Sequence, residues 1–495
     1  MKRSHVMPFG ARLLDGDATR FRLWAPSAQR VDLVLAPSGA RTAMAPAGQG
    51  WYQADLTGAG PGTLYRYRVD DAVEVPDPAS RCNPQDVHGP SMVVDPAAFE
   101  WDDEQWRGLP WERCVIYELH VGTFTAAGTF RAAQDKLAHL AGLGVTALEL
   151  MPLAECPGAH NWGYDGVLPF APEARYGAPE ALKRLVAAAH RRGLMVFLDV
   201  VYNHFGPEGN YLAAYARDFF TERHPTPWGA AINFDGPGSR TVRDFFLHNA
   251  LYWLEEYHLD GLRFDAVHSI RDDSPVHVLT EIAQAVRTHI GGPRPVHLML
   301  ENDDNQARWL GGCPGLPGRF DAQWNDDLHH CLHVAVTGER DGYYRDYAEA
   351  PDRLLGRALA EGFAYQGEAS PHRDGRKRGE PSAHLPSTAF VSFLQNHDQI
   401  GNRPLGERIG KLAAPEALKA ALAVLLLAPQ IPLLFMGEEW NAAEPFLFFC
   451  DFEPALAGTV REGRRSEFSR LAGYREQTAR LLIPDPIDPA TFQRS

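Results

Sequence analysis

From Cys114 onward the chain repeats one rhythm: a short apolar run, a polar tail, then a helix-patterned stretch. This alternation constrains the fold most, because strand–helix–strand repeats build parallel sheets. Strands are predicted at residues 115–121, 145–153, 194–201, 261–268, 296–300, 320–324, 389–394 and 431–436. Helices are predicted at 129–143, 178–192, 242–257, 276–290, 352–362, 415–428 and 465–474. In the first of these, Leu137, Leu140 and Leu143 make one apolar stripe. The third strand, Leu194-Met-Val-Phe-Leu-Asp-Val-Val201, is almost continuously apolar, as strands covered on both faces are. Eight strands alternating with helices predict an α/β fold, the (β/α)8 TIM barrel, over residues 113–480.

Residues 1–95 read differently. Phe21-Arg-Leu-Trp24, Val31-Asp-Leu-Val-Leu35 and Leu64-Tyr-Arg-Tyr-Arg-Val69 alternate with period two between Pro/Gly clusters. A small immunoglobulin-like β-sandwich fits, with Trp24, Trp51 and Tyr52 as core aromatics rather than sugar-stacking ones. A linker is expected at 96–112. At the other end, Pro484-Asp-Pro-Ile-Asp-Pro489 reads as extended linker within a 481–495 stub.

With 495 residues the chain is too long for one ordinary domain. Its formal net charge of -15, with no basic patch, argues against nucleic acid as a partner. The most apolar run, residues 420–428, is far shorter than the ~20 residues that a membrane span needs. The N-terminus lacks the apolar core of a signal peptide. Six scattered cysteines without a Cys-x-x-Cys suit a reducing compartment, so a cytoplasmic location is expected. No cofactor and no metal site is expected.

In such barrels chemistry sits where strands end. The ends here are Asp199-Val-Val-Tyr-Asn-His204, Arg263-Phe-Asp-Ala-Val-His268, Glu301-Asn-Asp-Asp-Asn305 and Gln395-Asn-His-Asp-Gln399. Four carboxylates, Asp199, Asp265, Glu301 and Asp398, are thus expected on one rim. Crowding like charges destabilises a fold, so their convergence implies use. Arg263 lies two residues before Asp265 and shares its strand face, so it favours an ionised nucleophile there. Glu301, followed by further acids, is the better proton donor. Two such carboxylates point to glycoside chemistry.

These four stretches, in order and spacing, resemble the signature regions of the alpha-amylase family of glycoside hydrolases. The resemblance implies retaining double displacement on α-glucans, with Asp265 as nucleophile, Glu301 as general acid/base and Asp398 as transition-state stabiliser. It places Arg263, His204 and His268 around the sugar at the cleavage point, with Asp199 orienting Arg263. Tyr117-Glu-Leu-His-Val-Gly-Thr-Phe124, Asn161-Trp-Gly-Tyr-Asp165, Phe320-Asp-Ala-Gln-Trp-Asn-Asp-Asp327, Gly379-Glu-Pro-Ser-Ala-His-Leu-Pro386 and Phe393-Leu-Gln-Asn-His-Asp-Gln-Ile-Gly-Asn-Arg403 look most like the trehalose-releasing members. This implies cleavage of the α-1,4 bond beside the terminal trehalose of malto-oligosyltrehalose, and pairing with a malto-oligosyltrehalose synthase. It also implies substrate contacts at Arg263, Phe264, Ala266, Val267 and His268, at Asn325, Asp326, Asp327, Leu328 and His329, and at His397, Gln399, Ile400, Gly401 and Asn402. Trp324 could offer a stacking face. Family members continue into a C-terminal β domain, so the 481–495 stub is expected to lead toward one that the sequence lacks. A branching or debranching enzyme on the same scaffold, or an inactive truncated relative, are the competing readings.

Overall fold

The computed structural model describes residues 2–226, 229–290, 294–311, 318–470, 472–474 and 476–495. Cys313, one of the six cysteines, lies outside them. Eight parallel strands close into a barrel: Ile116–Leu119, Ala147–Leu150, Met195–Val200, Gly261–Phe264, His297–Leu300, Ala322–Trp324, Phe390–Phe393 and Ile431–Phe435. The last pairs with the first, Leu433 opposite Ile116.

Period two separates the faces of these strands. Leu119, Leu150, Leu198, Val200, Leu262, Phe264 and Leu300 point outward and pack under the helices in the main core. Ile116, Met195, Phe197, Met299, Val391 and Leu433 form a second apolar cluster inside the barrel. Further along the same inward rows the residues turn polar: Glu118 follows Ile116, Glu149 follows Ala147, and Asp199 follows Phe197. The barrel is therefore apolar at its base and charged where its strands end.

The predicted elements are present with shifted bounds. The helix expected at 129–143 is two, Phe130–Gln134 and Leu137–Leu143. The last predicted helix, at 465–474, is instead Pro454–Glu467 followed by short 3-10 turns. The helix Asp326–Thr337 was not expected, because Asn325-Asp-Asp327 reads as a set of substrate contacts. Those residues are its N-cap and first turn, where acids complement the helix dipole. The fourth strand, expected to run to 268, stops at Phe264. Ala266 takes a left-handed φ of 40° and a 3-10 turn follows at Val267–Ser269. The stretch at 484–489, expected to be extended linker, docks: Cys450 N–H donates to the Pro486 carbonyl at 3.0 Å, and Phe492 of the helix Pro489–Gln493 stacks on His160.

The N-terminal region forms two antiparallel sheets face to face. One contains Gly10–Leu14, Ala18–Trp24 and Trp51–Thr57; the other is built on Val31–Ala36 and Leu64–Val69. Asp77 lies buried between them and accepts hydrogen bonds from Tyr65 Oη at 2.8 Å and Tyr67 Oη at 3.0 Å. Trp24 and Tyr52 are buried, and Trp24 meets Phe219 of the barrel edge to face. Trp51 packs on Phe9 beneath Arg22. Trp24 thus joins the modules, while Trp51 and Tyr52 pack within the first.

The linker is clamped across the barrel base. Asp103 accepts from His190 Nδ1 at 2.9 Å and His258 Nδ1 at 2.8 Å. Trp101 and Trp106 stack on those same two rings. Burial opposes a charge on His190, but Asp260 and Asp103 outweigh it and raise its pKa. Burial lowers that of His258. Asp103→Asn should cost about 1–3 kcal/mol, because buried His190 loses one of its two anions and keeps only Asp260. A group with a raised folded pKa stabilises fully below its unfolded pKa and loses that contribution as pH rises through the folded value. Thermal melts of the variant should thus show a gap from the native protein that narrows at alkaline pH. Equal melts at pH 6 would show the clamp to be slack.

Candidate active site

The charged rim of the barrel is organised by Arg263. Its guanidinium is fully buried, and Nη1 donates to Asp199 Oδ2 at 2.6 Å and to Asp265 Oδ1 at 2.8 Å. The cation lies 4.2 Å above the ring of Trp324. Burial alone would lower the pKa of Arg263, but Asp199, Tyr164 and Asp265 together raise it. Asn203 donates to the second oxygen of Asp265 at 2.9 Å. Asp265 therefore has both oxygens oriented by donors, as an attacking carboxylate requires. Asp199 is pushed up to about 6 by burial, against the pull of Arg263.

Glu301 follows the fifth strand. The left-handed turn at Ala266 aims that residue's N–H at Glu301 Oε2, 2.6 Å away. This bond joins the loops after strands four and five and fixes Glu301 against Asp265. Burial raises the pKa of Glu301 well above the carboxylate range; Arg263 pulls it down, and Asp265, Asp326 and Asp398 push it up. The two carboxyls thus sit in opposed environments, one bonded to a cation and one desolvated among acids. Asp398 opens the short helix His397–Gly401, with its side chain 42% exposed and held by Asn402 Nδ2 at 3.1 Å.

The other expected site residues divide. Around the acids lie His204, whose Nε2 donates to the Tyr164 carbonyl at 3.0 Å, and His268, whose Nδ1 accepts from Asp303 N–H at 3.3 Å. Burial lowers the pKa of both rings. Asp326 accepts from Gln399 Nε2 at 3.0 Å and is pushed up to about 7, chiefly by burial. Asn402 is exposed beside Asp398.

Others are placed elsewhere. Phe264 points outward onto Phe320, and Val267, Leu328, Ile400 and Gly401 are buried. Asn325 turns its side chain away from the helix it opens and donates to the Gly362 carbonyl at 2.9 Å. His329 bonds the Leu394 carbonyl and Tyr344. Asp327 is fully buried, accepting from Asn305, Tyr347, Arg378 and the N–H groups of Ala364 and Tyr365. It anchors a loop network and has no surface for a sugar. Trp324 offers no free face, because Arg263 covers it.

Sequence reasoning missed Tyr164 as a site residue. Its hydroxyl donates to Asp199 Oδ2 at 2.6 Å and meets His397 Nε2 at 2.7 Å, joining two strand ends. The signal was present in Asn161-Trp-Gly-Tyr-Asp165, but nothing local shows that its tyrosine reaches the rim. Glu118 and Asn203 were missed as well, because each acts on a residue far away in sequence.

Two family models match the chain: the alpha amylase catalytic domain over residues 96–249, and carbohydrate-binding module 48, the isoamylase N-terminal domain, over residues 8–94. The malto-oligosyltrehalose trehalohydrolase of Saccharolobus solfataricus is 45% identical over 93% of this chain and 80% of its own length. That of Deinococcus radiodurans is 44% identical over 98% and 78%. A crystal structure of a candidate alpha amylase from Salmonella typhimurium superposes with a TM-score of 0.94 at 50% identity, covering 99% of this chain and 82% of that one. An acid-lined (β/α)8 rim behind an immunoglobulin-like module, together with these near full-length matches, makes the chain a glycosidase that belongs to the malto-oligosyltrehalose trehalohydrolase family.

Proposed function

We propose that this enzyme cleaves the α-1,4-glucosidic bond beside the terminal trehalose of malto-oligosyltrehalose, releasing α,α-trehalose and a malto-oligosaccharide. The observation that carries the mechanism is the opposed setting of Asp265 and Glu301. Asp265, oriented by Arg263 and Asn203, attacks the anomeric carbon. Glu301, protonated because it is desolvated among acids, gives its proton to the departing trehalose oxygen. Asp398 supports the positive charge that develops on the sugar ring. In the second half, Glu301 takes a proton from water, which attacks the glycosyl ester and frees Asp265.

The substrate specificity rests on the relatives' shared activity name. His268, Asp326, Gln399 and Asn402 surround the acids with groups that bond hydroxyls, and a site built this way rejects ligands lacking them. The substrate is what a synthase that isomerises the reducing end of a maltodextrin supplies, so the two enzymes act in succession. A cytoplasmic setting suits the five described cysteines, all buried and unpaired. Among the described residues no helix is long and apolar enough to cross a membrane.

Proton NMR of early product tests the displacement mode: the malto-oligosaccharide should appear first as its α-anomer. A β-anomer would contradict nucleophilic attack by Asp265. The pH profile tests the setting of Glu301. Removing the nearby charge in Asp326→Asn should lower the pKa of Glu301, so the alkaline limb of kcat moves to lower pH. An unmoved limb would show that the two acids are not coupled.

A further inference from the structure

We propose that Glu118 is a positioning residue that holds His397 as an imidazolium behind the site, which rests on the reading of Asp398 and Asp199 given above. Glu118 lies on the first barrel strand, on the inward row with Ile116. It grips His397 at two points: one oxygen accepts the His397 backbone N–H at 3.2 Å, and the other bonds ring Nδ1. The opposite ring nitrogen, Nε2, lies 2.7 Å from Tyr164 Oη.

The hydrogen-bond count sets the protonation. Tyr164 has one hydroxyl proton, and Asp199, only 2.6 Å away, takes it. The Tyr164 oxygen is then an acceptor, so His397 Nε2 must carry a proton. Nδ1 faces a carboxylate, so it carries one too. Both ring nitrogens donate, and the ring is a cation. His397 is buried, and both of its ring nitrogens face protein partners, so Glu118 and Tyr164 fix the ring beside the site.

The surrounding charges fit. Glu118 faces the ring from strand one, and Asp398 from its own helix, with Oδ1 3.6 Å from Nε2. Asp199 reaches it through Tyr164. Arg263, across the barrel, opposes the charge. Glu149 is beside Glu118 in register, and burial together with Glu118 raises its pKa, which disfavours a second anion there. His120 is kept neutral by burial. Burial lowers the pKa of His397, but Glu118 and Asp398 outweigh it and bring it up to about 8. The consequence for function is a fixed positive charge beside Asp398, and a donor that locks Tyr164 onto Asp199 and hence Arg263. Glu118 acts only through His397.

The test is a pH titration of the whole protein carrying 15N-histidine, with the His397 signals identified by their loss in His397→Gln. Both ring nitrogens should read as protonated at pH 7 and titrate together near pH 8. In Glu118→Gln the midpoint should fall by about one unit or more, and kcat by about tenfold with KM little changed. Glu118→Asp, which keeps the charge, should recover part of both. A neutral His397 in the native protein at pH 7, or an unmoved midpoint in Glu118→Gln, would overturn the proposal. If Glu118→Gln does not fold, the native titration alone decides. The titration uses no substrate, so a failure of the trehalose reading would leave its result intact.

Discussion

Asp265→Asn should lower kcat/KM by about four orders of magnitude or more while the melting temperature stays near that of the native protein. The two halves of that expectation have separate causes. Activity falls because an amide cannot form the glycosyl ester. The fold persists because Arg263 keeps its bond to Asp199, so no buried cation is stranded. Asn203 also has an acceptor left in the amide oxygen. Parallel kinetics and thermal melts check both halves. Near-native turnover would remove Asp265 from the reaction, and a collapsed melt would show that its charge is chiefly structural.

Glu301→Gln should be nearly as severe, but selective. A glutamine cannot protonate the leaving oxygen, which costs about 10²–10⁴ in rate for a sugar leaving group. A glycosyl fluoride needs little protonation to leave, so its first step should survive in the variant. Comparing kcat/KM for the natural bond and the fluoride separates acid catalysis from simple damage. An equal loss on both substrates would mean that Glu301 does something other than donate a proton. The bond from Ala266 N–H can still be accepted by the amide oxygen, so the link between the two loops is retained.

The barrel was legible because its signal is local and repeated. An apolar run ending in acids identifies a strand and its C-terminal end without long-range information. Asp265, Glu301 and Asp398 were legible for the same reason, and the structure brings them onto one rim. What stayed hidden depends on direction. Phe264 and Asp265 are adjacent in sequence, yet the pleat sends one into the outer core and the other into the site. The left-handed turn at Ala266 ends the fourth strand four residues early, and nothing in Asp-Ala-Val announces it. Asp327 looks like a sugar ligand in the string Asn325-Asp-Asp327, but a helix start and five donors from distant loops enclose it. Glu118, Tyr164 and His397 come from three separate stretches, so their chain of bonds exists only in the folded molecule.

The measurement that bears most directly on the account is product analysis with two substrates. The purified protein is incubated with malto-oligosyltrehalose and, separately, with maltoheptaose, and the sugars are separated by chromatography. Free trehalose should form from the first, with little cleavage of the second. Cleavage of maltoheptaose without trehalose release from the first would contradict this, leaving the glycosidase chemistry at Asp265 and Glu301 but a different substrate.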